Sequence, residues 1–520
     1  MTVISSDRNV LSTAKGGIFL AGGSFFEFAS RLVIAFVLAR SLGAKDYGLY
    51  VLPISVAGIF TGISLLGLDD AMVRYVAILS GRRDRAGLWG TLQIGFGVSG
   101  LAALIMGVVL FFSARSIAEG FFDEPRLTPL LHLFAVLVPF LMVSNLLAGI
   151  ARGFRRMDYV AFAENVVQSV VRMVLVGVLA MAGDLNVFAA AVIFGISDVV
   201  ATVTLIALLN KQFPLKRPLH QDVRRDVKEV FAFALPLWLS GLLRQFRRNI
   251  EIILLGALSA ASSAGVFAIV NKVNLVGHVF LLSILVAVKP ELAQLHDRED
   301  RTGLAHVYIT ATRWTLSLNV PFFLIMVLYP EAILSVFGDA FVAGATALIV
   351  LAFAELVNSG TGICGPMIDM TGHTKVKLAN SVLWTVLLIG GSAVLIPRWG
   401  VVGAATASLI AISTVNILCV VEVWLFERVI PFDRSFWKPV AAGMGAFVSG
   451  LVLRRWMPAG ADLGPAALQA VIVCTVYAAM ILLFGLAPED RLVADRLVNK
   501  TALLFGRVRA SSGTAAEKIR

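Results

Sequence analysis

Between residues 233 and 256 the sequence reads FALPLWLSGLLRQFRRNIEIILLG, an apolar stretch interrupted by Arg244, Arg247, Arg248 and Glu251. On a helix these four share one arc of about 100°. Glu251 can neutralise one arginine through its three- or four-residue neighbours, which leaves excess positive charge facing one way. A guanidinium is a permanently charged planar fork of donors that suits phosphate oxygens, so the chemistry indicated is anion recognition. The bland alternative is a set of structural ion pairs. Glu27 and Arg31 lie four residues apart in the first apolar stretch, in the order that favours an ion pair. Other apolar stretches carry polar faces. Asn271, Lys272, Asn274 and His278 lie in one, and Asn165, Gln168, Ser169 and Arg172 in another, with isolated acids at Asp198 and Glu355. Asn165, Gln168 and Asn274 read first as hydrogen-bonding links between helices. Asp198 and Glu355 read equally as members of buried pairs or as functional acids, and Glu164 or Asp198 is available as a partner for Arg172.

Motifs for covalent or nucleotide chemistry are missing. There is no GxxxxGK[ST], HExxH or GxSxG, the six histidines are scattered, and Cys364, Cys419 and Cys474 have no CxxC spacing. No catalytic residue, metal site or cofactor is expected.

The elements that position these charges follow from composition. Of 520 residues 58% are hydrophobic and only 15% charged, with a mean hydropathy of +0.87. A soluble chain is about 25% charged, so several water-soluble domains are excluded. The net charge of +11 reads as lysine and arginine gathered on one side of a membrane rather than as nucleic-acid binding. With about 20 apolar residues needed per crossing, fourteen spans are expected: 17–39, 48–68, 88–112, 129–150, 159–182, 187–209, 230–257, 264–288, 308–328, 342–364, 376–396, 401–425, 437–456 and 465–486. These are long apolar runs rather than alternating ten-residue segments, which excludes a β-barrel. The first span has no small-x-small cleavage site and reads as a retained helix. With both termini cytoplasmic, the inner segments outnumber the outer loops in Lys plus Arg by roughly four to one.

The expected organisation is an all-α polytopic membrane protein: a six-helix bundle at 1–210, a cytoplasmic linker at 211–228, a second six-helix bundle at 229–430, two additional helices at 431–487 and a cytoplasmic tail at 488–520. At one constant offset Leu38 falls on Leu255, Gly48 on Gly265 and Arg31 on Arg248. Because six is even, both halves insert the same way up, related by a pseudo-twofold axis along the membrane normal. Pro53, Pro139, Pro236, Pro321 and Pro366 suggest kinks.

Several segments resemble the polysaccharide transporter family, the O-antigen-type and exopolysaccharide flippases of the multidrug/oligosaccharidyl-lipid/polysaccharide exporter superfamily. They are ARSLGAKDYGLY (39–50), GLDDAMVRYVA (67–77), the 233–256 stretch, AGVFAIVNKV (264–273), MTGHTK (370–375) and GVVGAATASLIA (400–411). The resemblance covers about residues 15–430. It implies two six-helix bundles around a central cavity, moving an undecaprenyl-diphosphate-linked oligosaccharide across the bacterial inner membrane by alternating access. It also implies work beside a polysaccharide polymerase and a chain-length regulator. In many relatives the acid of the seventh span resembles an aspartate, whereas here it is Glu251. The expected substrate-binding set is Arg31, Arg172, Arg244, Arg247, Arg248, Lys272 and Asn274. The expected ion-coupling acids are Glu27, Asp198, Glu251 and Glu355, with Glu27 preferred because Arg31 beside it links its charge to an arriving anion. The competing readings are a lipid II flippase and a multidrug and toxin extrusion type antiporter. A membrane glycosyltransferase or polymerase is disfavoured by the short outer loops.

Overall fold

The computed structural model describes residues 3–213, 223, 227–457, 460–485 and 490. Most of the 211–228 linker and the tail lie outside the described residues, as do the side chains of residues 3–25, 27, 212, 278–283 and 285–287. Among the described residues every regular element is helical. Lipid offers the backbone no hydrogen-bond partner, so each spanning segment closes its bonds within itself.

The first elements are α1 (Val3–Leu65), α2 (Leu68–Gly81), α3 (Arg85–Arg115), α4 (Leu127–Gly153), α5 (Met157–Val160), α6 (Gln168–Ala182) and α7 (Val187–Gln212). Two π-helical segments, Ser116–Phe121 and Ala161–Val167, extend α3 and join α5 to α6. The chain continues as α8 (Val227–Leu258), α9 (Ala261–Asp297), α10 (Arg301–Leu328), α11 (Pro330–Ser335), α12 (Ala345–Thr361), α13 (Cys364–Met370), α14 (Thr374–Glu427), α15 (Trp437–Trp456) and α16 (Leu463–Leu483). Each of the fourteen expected stretches overlaps one or more of these helices. Nine helices among the described residues are long and apolar enough to cross a membrane, and α8, at 32 residues, is long enough but carries its charges mid-length.

Two of the helices hold two expected spans each, and both break at glycine. The backbone leaves helical geometry at Gly43 (φ 72°, ψ 174°) in α1 and at Gly400 (φ 52°, ψ −124°) in α14. Positive φ costs glycine nothing, whereas a Cβ would strain it. Pro53, Pro139, Pro236, Pro321 and Pro366 lie inside helices away from these breaks, while Pro397 lies three residues before Gly400. Outward-facing apolar side chains such as Phe112 (80% exposed) and Met181 (84%) are what a lipid-facing surface needs. The chain is a multi-pass membrane protein.

By packing, the chain forms two units. The first comprises Met1–Leu275, Pro330–Ala354 and Lys375–Val415. In it α1 packs against α3, α4, α6, α7 and α8, and Tyr47, Leu38, Leu52, Phe134, Phe267 and Phe341 are fully buried. The repeat-related glycines meet here: a Cβ on Gly265 would lie 2.8 Å from Gly48 N, and one on Gly48 would lie 1.7 Å from Ala261 O. Only residues without side chains allow backbones this close. The ARSLGAKDYGLY segment is structural. Arg40 donates to Val336 O (2.8 Å) and Ser335 O (3.1 Å) at the end of α11, and Lys45 and Asp46 pair with Glu124 and Arg126 at 3.0 Å each.

The second unit comprises Val276–Tyr329, Glu355–Thr374 and Asn416–Arg520. Here α10 packs against α15 and α16, and the Tyr477 hydroxyl donates to Ser317 O at 3.0 Å.

Candidate functional site

Within the first unit four helices bring cations within electrostatic reach of one another: Arg31 from α1, Arg172 from α6, Arg248 from α8 and Lys272 from α9. Arg31 acts electrostatically on each of the other three, and Arg172 also acts on Lys272. Arg172 is held in place. Its Nε donates to Ser197 Oγ at 3.0 Å and its guanidinium lies 4.4 Å from the Phe194 ring centroid. Asp198, 6% exposed, lies within electrostatic reach of Arg172 and accepts from Gln168 Nε2 at 3.1 Å. Arg172 Nη2 and Asp198 Oδ2 are buried with no hydrogen-bond partner. An unmet buried polar atom costs about 1–3 kcal/mol. The region thus holds one unmet donor, on Arg172, and one unmet acceptor, on Asp198.

The α8 arc divides. Arg244 and Arg248 line a cleft of about 270 Å³ between α8, α1, α2 and α4. Arg247 instead lies over the Trp384 ring of α14, 4.9 Å from its centroid. Glu251 accepts from the Ser408 hydroxyl, also on α14. That contact replaces the arginine neutralisation expected from the helical wheel: α14 packs on this edge of α8, and a serine hydroxyl meets the carboxylate there.

The cleft is walled by Thr61, Gly62 and Leu65 of α1, by Asp69 and Asp70 in the first turn of α2, by Asn145 and Arg152 of α4, and by Trp238, Leu242 and Gln245 of α8. Gly67, in the left-handed conformation (φ 73°), starts α2 against the α8 backbone, where a Cβ would meet Ala234 O at 2.3 Å. Trp238 Nε1 donates to Gly62 O (3.3 Å), Gln245 Nε2 to Gly58 O (3.0 Å) and Asn145 Nδ2 to Leu141 O (2.8 Å). Those bonds fix the wall. Asp69, beyond the end of its span, has its carboxyl pushed up from the ordinary value by burial and by the charge of Asp70, with Arg152 opposing.

Residues 13–296, more than half of the chain, match the family described as polysaccharide biosynthesis protein. The chain belongs to that family. Residues 236–393 also match the MatE family. The chain is 30% identical over 165 residues to stage V sporulation protein B of Bacillus subtilis, covering 32% of each chain. It is 22% identical over 205 residues to the probable low-salt glycan biosynthesis flippase Agl15 of Haloferax volcanii, covering 39% of this chain and 43% of that one. The chain thus spans less than half the length of these curated relatives. Its fold is that of the lipid II flippase MurJ in an inward closed conformation, with a TM-score of 0.69 and 14% identity over 90% of this chain and 98% of that one.

In this family member the expected site residues fall in several places. Arg31, Arg172, Arg248, Lys272 and Asp198 group together, Arg244 joins Arg248 at the cleft, and Arg247 and Glu251 turn to α14. Asn274 is part-buried on α9 and its Oδ1 is without a partner. The Glu27 side chain lies outside the described residues. Glu355 belongs to the second unit, 8% exposed, where its Oε1 accepts from Asn358 Nδ2 at 3.3 Å, and Asn416 Nδ2 donates to Asn358 Oδ1 at 3.0 Å. Asp69, Asp70, Arg152 and Trp238 were not singled out by sequence reasoning. The adjacent acids of GLDDAMVRYVA were the available signal, but nothing in spacing alone ties α2 to α8.

Proposed function

We propose that this protein is a flippase that moves a polyprenyl-diphosphate-linked oligosaccharide across the cytoplasmic membrane of a bacterium, by alternating access, for surface polysaccharide synthesis such as O-antigen, capsule or exopolysaccharide. The observation that carries the reading is the group of Arg31, Arg172, Arg248 and Lys272 within membrane-spanning helices, with Asp198 as the nearby acid. Charge at bilayer depth costs at least ~2.5 kcal/mol per residue, and four cations gathered in one region beside Asp198 favour a site for an anion. A diphosphate meets that need, and arginine forks bind its oxygens bidentately. The chain is a transporter rather than an enzyme. Both termini lie in the cytoplasm, and the halves 1–210 and 229–430, followed by the helices of 431–487, are the bodies whose rocking exposes the site to each side in turn. A polymerase and a chain-length regulator receive the product. An ion gradient drives the cycle through Glu27, Asp198, Glu251 or Glu355, or substrate supply does so alone.

A multidrug and toxin extrusion type antiporter fits less well, because four cations repel a cationic drug. A lipid II flippase is the second reading, motivated by likeness of fold. Its substrate carries the same polyprenyl diphosphate, so it uses the same arginines.

The test is polymer export measured beside membrane abundance. Arg31→Ala and Arg248→Ala are expected to abolish export at near-normal abundance. Arg248→Lys keeps part of it, since charge survives but the bidentate fork is lost. Normal export by a stable Arg244→Ala/Arg248→Ala double variant would overturn the reading.

A further inference from the structure

We infer that the cleft lined by Asp69, Asp70, Arg152, Arg244, Gln245 and Trp238 binds the sugar directly attached to the lipid diphosphate, and so sets which glycan the protein accepts. The inference rests on the flippase reading and goes beyond it by assigning the sugar a place of its own.

The chemistry of the wall selects the ligand. Three arginines supply donors, while two carboxylates and the amide oxygens of Asn145 and Gln245 supply acceptors. Asp69 and Asp70 offset much of the arginine charge, so a bare phosphate gains less here than it would among cations alone. A sugar ring satisfies both kinds of group, because every hydroxyl donates and accepts. It also has an apolar face for the Trp238 indole and the Leu242 side chain, both in the same wall. The volume of about 270 Å³ lies just below the ~300 Å³ at which pockets for drug-sized ligands begin, which suits one or two rings. The wall is also set in advance, since Trp238, Gln245 and Asn145 are tied to backbone carbonyls. Binding then costs little side-chain ordering.

Position supplies the second argument. Arg248 lines the cleft and also acts on Arg31 in the deep cation group. The two regions therefore adjoin, as the first sugar adjoins the diphosphate on the substrate. With the diphosphate held by Arg31, Arg172, Arg248 and Lys272, the next group along the molecule falls beside Arg244 and the two aspartates.

Equilibrium binding to the purified full chain in detergent tests this with three probes: polyprenyl diphosphate without a sugar, the same bearing one hexose, and the same bearing one N-acetylhexosamine. The wild type is expected to bind the bare diphosphate, and to bind at least one sugar-bearing probe about tenfold more tightly, the gain of one or two charge-assisted hydrogen bonds. Asp69→Asn/Asp70→Asn is expected to lose that sugar preference while still binding the bare diphosphate. Arg152→Gln, at an exposed position, is expected to weaken the preference in the same direction. Arg31→Ala is expected to weaken all three probes alike. Retention of the full preference by both cleft variants, or its absence from the wild type, overturns the inference and leaves the flippase reading standing. A wild type that binds none of the three probes overturns the flippase reading and the inference together.

Discussion

Arg248 belongs to both recognition regions, whereas its neighbour Arg247 belongs to neither, although one helical arc holds them both. The difference lies in what packs against α8: α1 and α2 leave room beside Arg248, while α14 sets Trp384 under Arg247. A cationic face was suggested by RQFRRNIE, with structural ion pairs as the competing use of charges in the middle of an apolar run. Which arginine faces the cleft was not legible, since that depends on helices distant in sequence. Asp69 is the residue whose local energetics can be checked separately. Burial and the neighbouring Asp70 raise its carboxyl above the ordinary range, so the folded state holds its proton more tightly than the unfolded state does. Such a group makes folding less favourable as pH rises through its folded value. Asp69→Asn is therefore expected to raise the midpoint of thermal unfolding by about 1–2 °C at pH 8. The gain should shrink toward zero as pH falls to the range where the wild-type carboxyl takes up its proton. A gain that grows on acidification would contradict this account of the residue.

At the scale of elements, Gly48 and Gly265, which align at the same offset as Arg31 and Arg248, approach at backbone contact, and those two arginines are electrostatic neighbours. The weak repeat in the sequence thus pointed to residues that meet in space. Helix positions were legible for the same elementary reason that they form, namely long apolar runs in a medium that cannot bond the backbone. The two breaks in helical geometry fall at Gly43 and Gly400, where a positive φ is needed, and the sequence pattern gave no sign of them. Gly48→Ala is expected to lower the amount of folded protein sharply, since its Cβ would meet backbone atoms of Ala261 and Gly265, and overpacking commonly costs ~1–3 kcal/mol or more. Gly97→Ala, on α3 with open space around it, is expected to be neutral or mildly stabilising, by up to ~1 kcal/mol. Detergent-solubilised yield and thermal unfolding of the two variants make the comparison. Equal behaviour would show that the crossing tolerates a methyl group and is looser than described.

For the whole molecule, the account joins a multi-pass helical fold to one electrostatic demand. A chain that is 58% hydrophobic has few reasons to gather Arg31, Arg172, Arg248 and Lys272 from four helices, and an anionic headgroup crossing the membrane is the reason proposed. Composition and span length made the membrane class legible, and the segments from ARSLGAKDYGLY to GVVGAATASLIA made the family legible. The role of each segment was hidden. The first is a packing and ion-pair motif around Arg40, Lys45 and Asp46, while GLDDAMVRYVA supplies two acids to a cleft that exists only once α2 meets α8. The most direct test is leaflet transfer in proteoliposomes, with a fluorescent polyprenyl diphosphate bearing one sugar placed in one leaflet and its appearance in the other followed over time. The wild type is expected to transfer the lipid faster than protein-free vesicles, and Arg31→Ala/Arg248→Ala, incorporated at the same level, to fall back to the protein-free rate. Transfer by that double variant at the wild-type rate would contradict the claim that these cations carry the diphosphate.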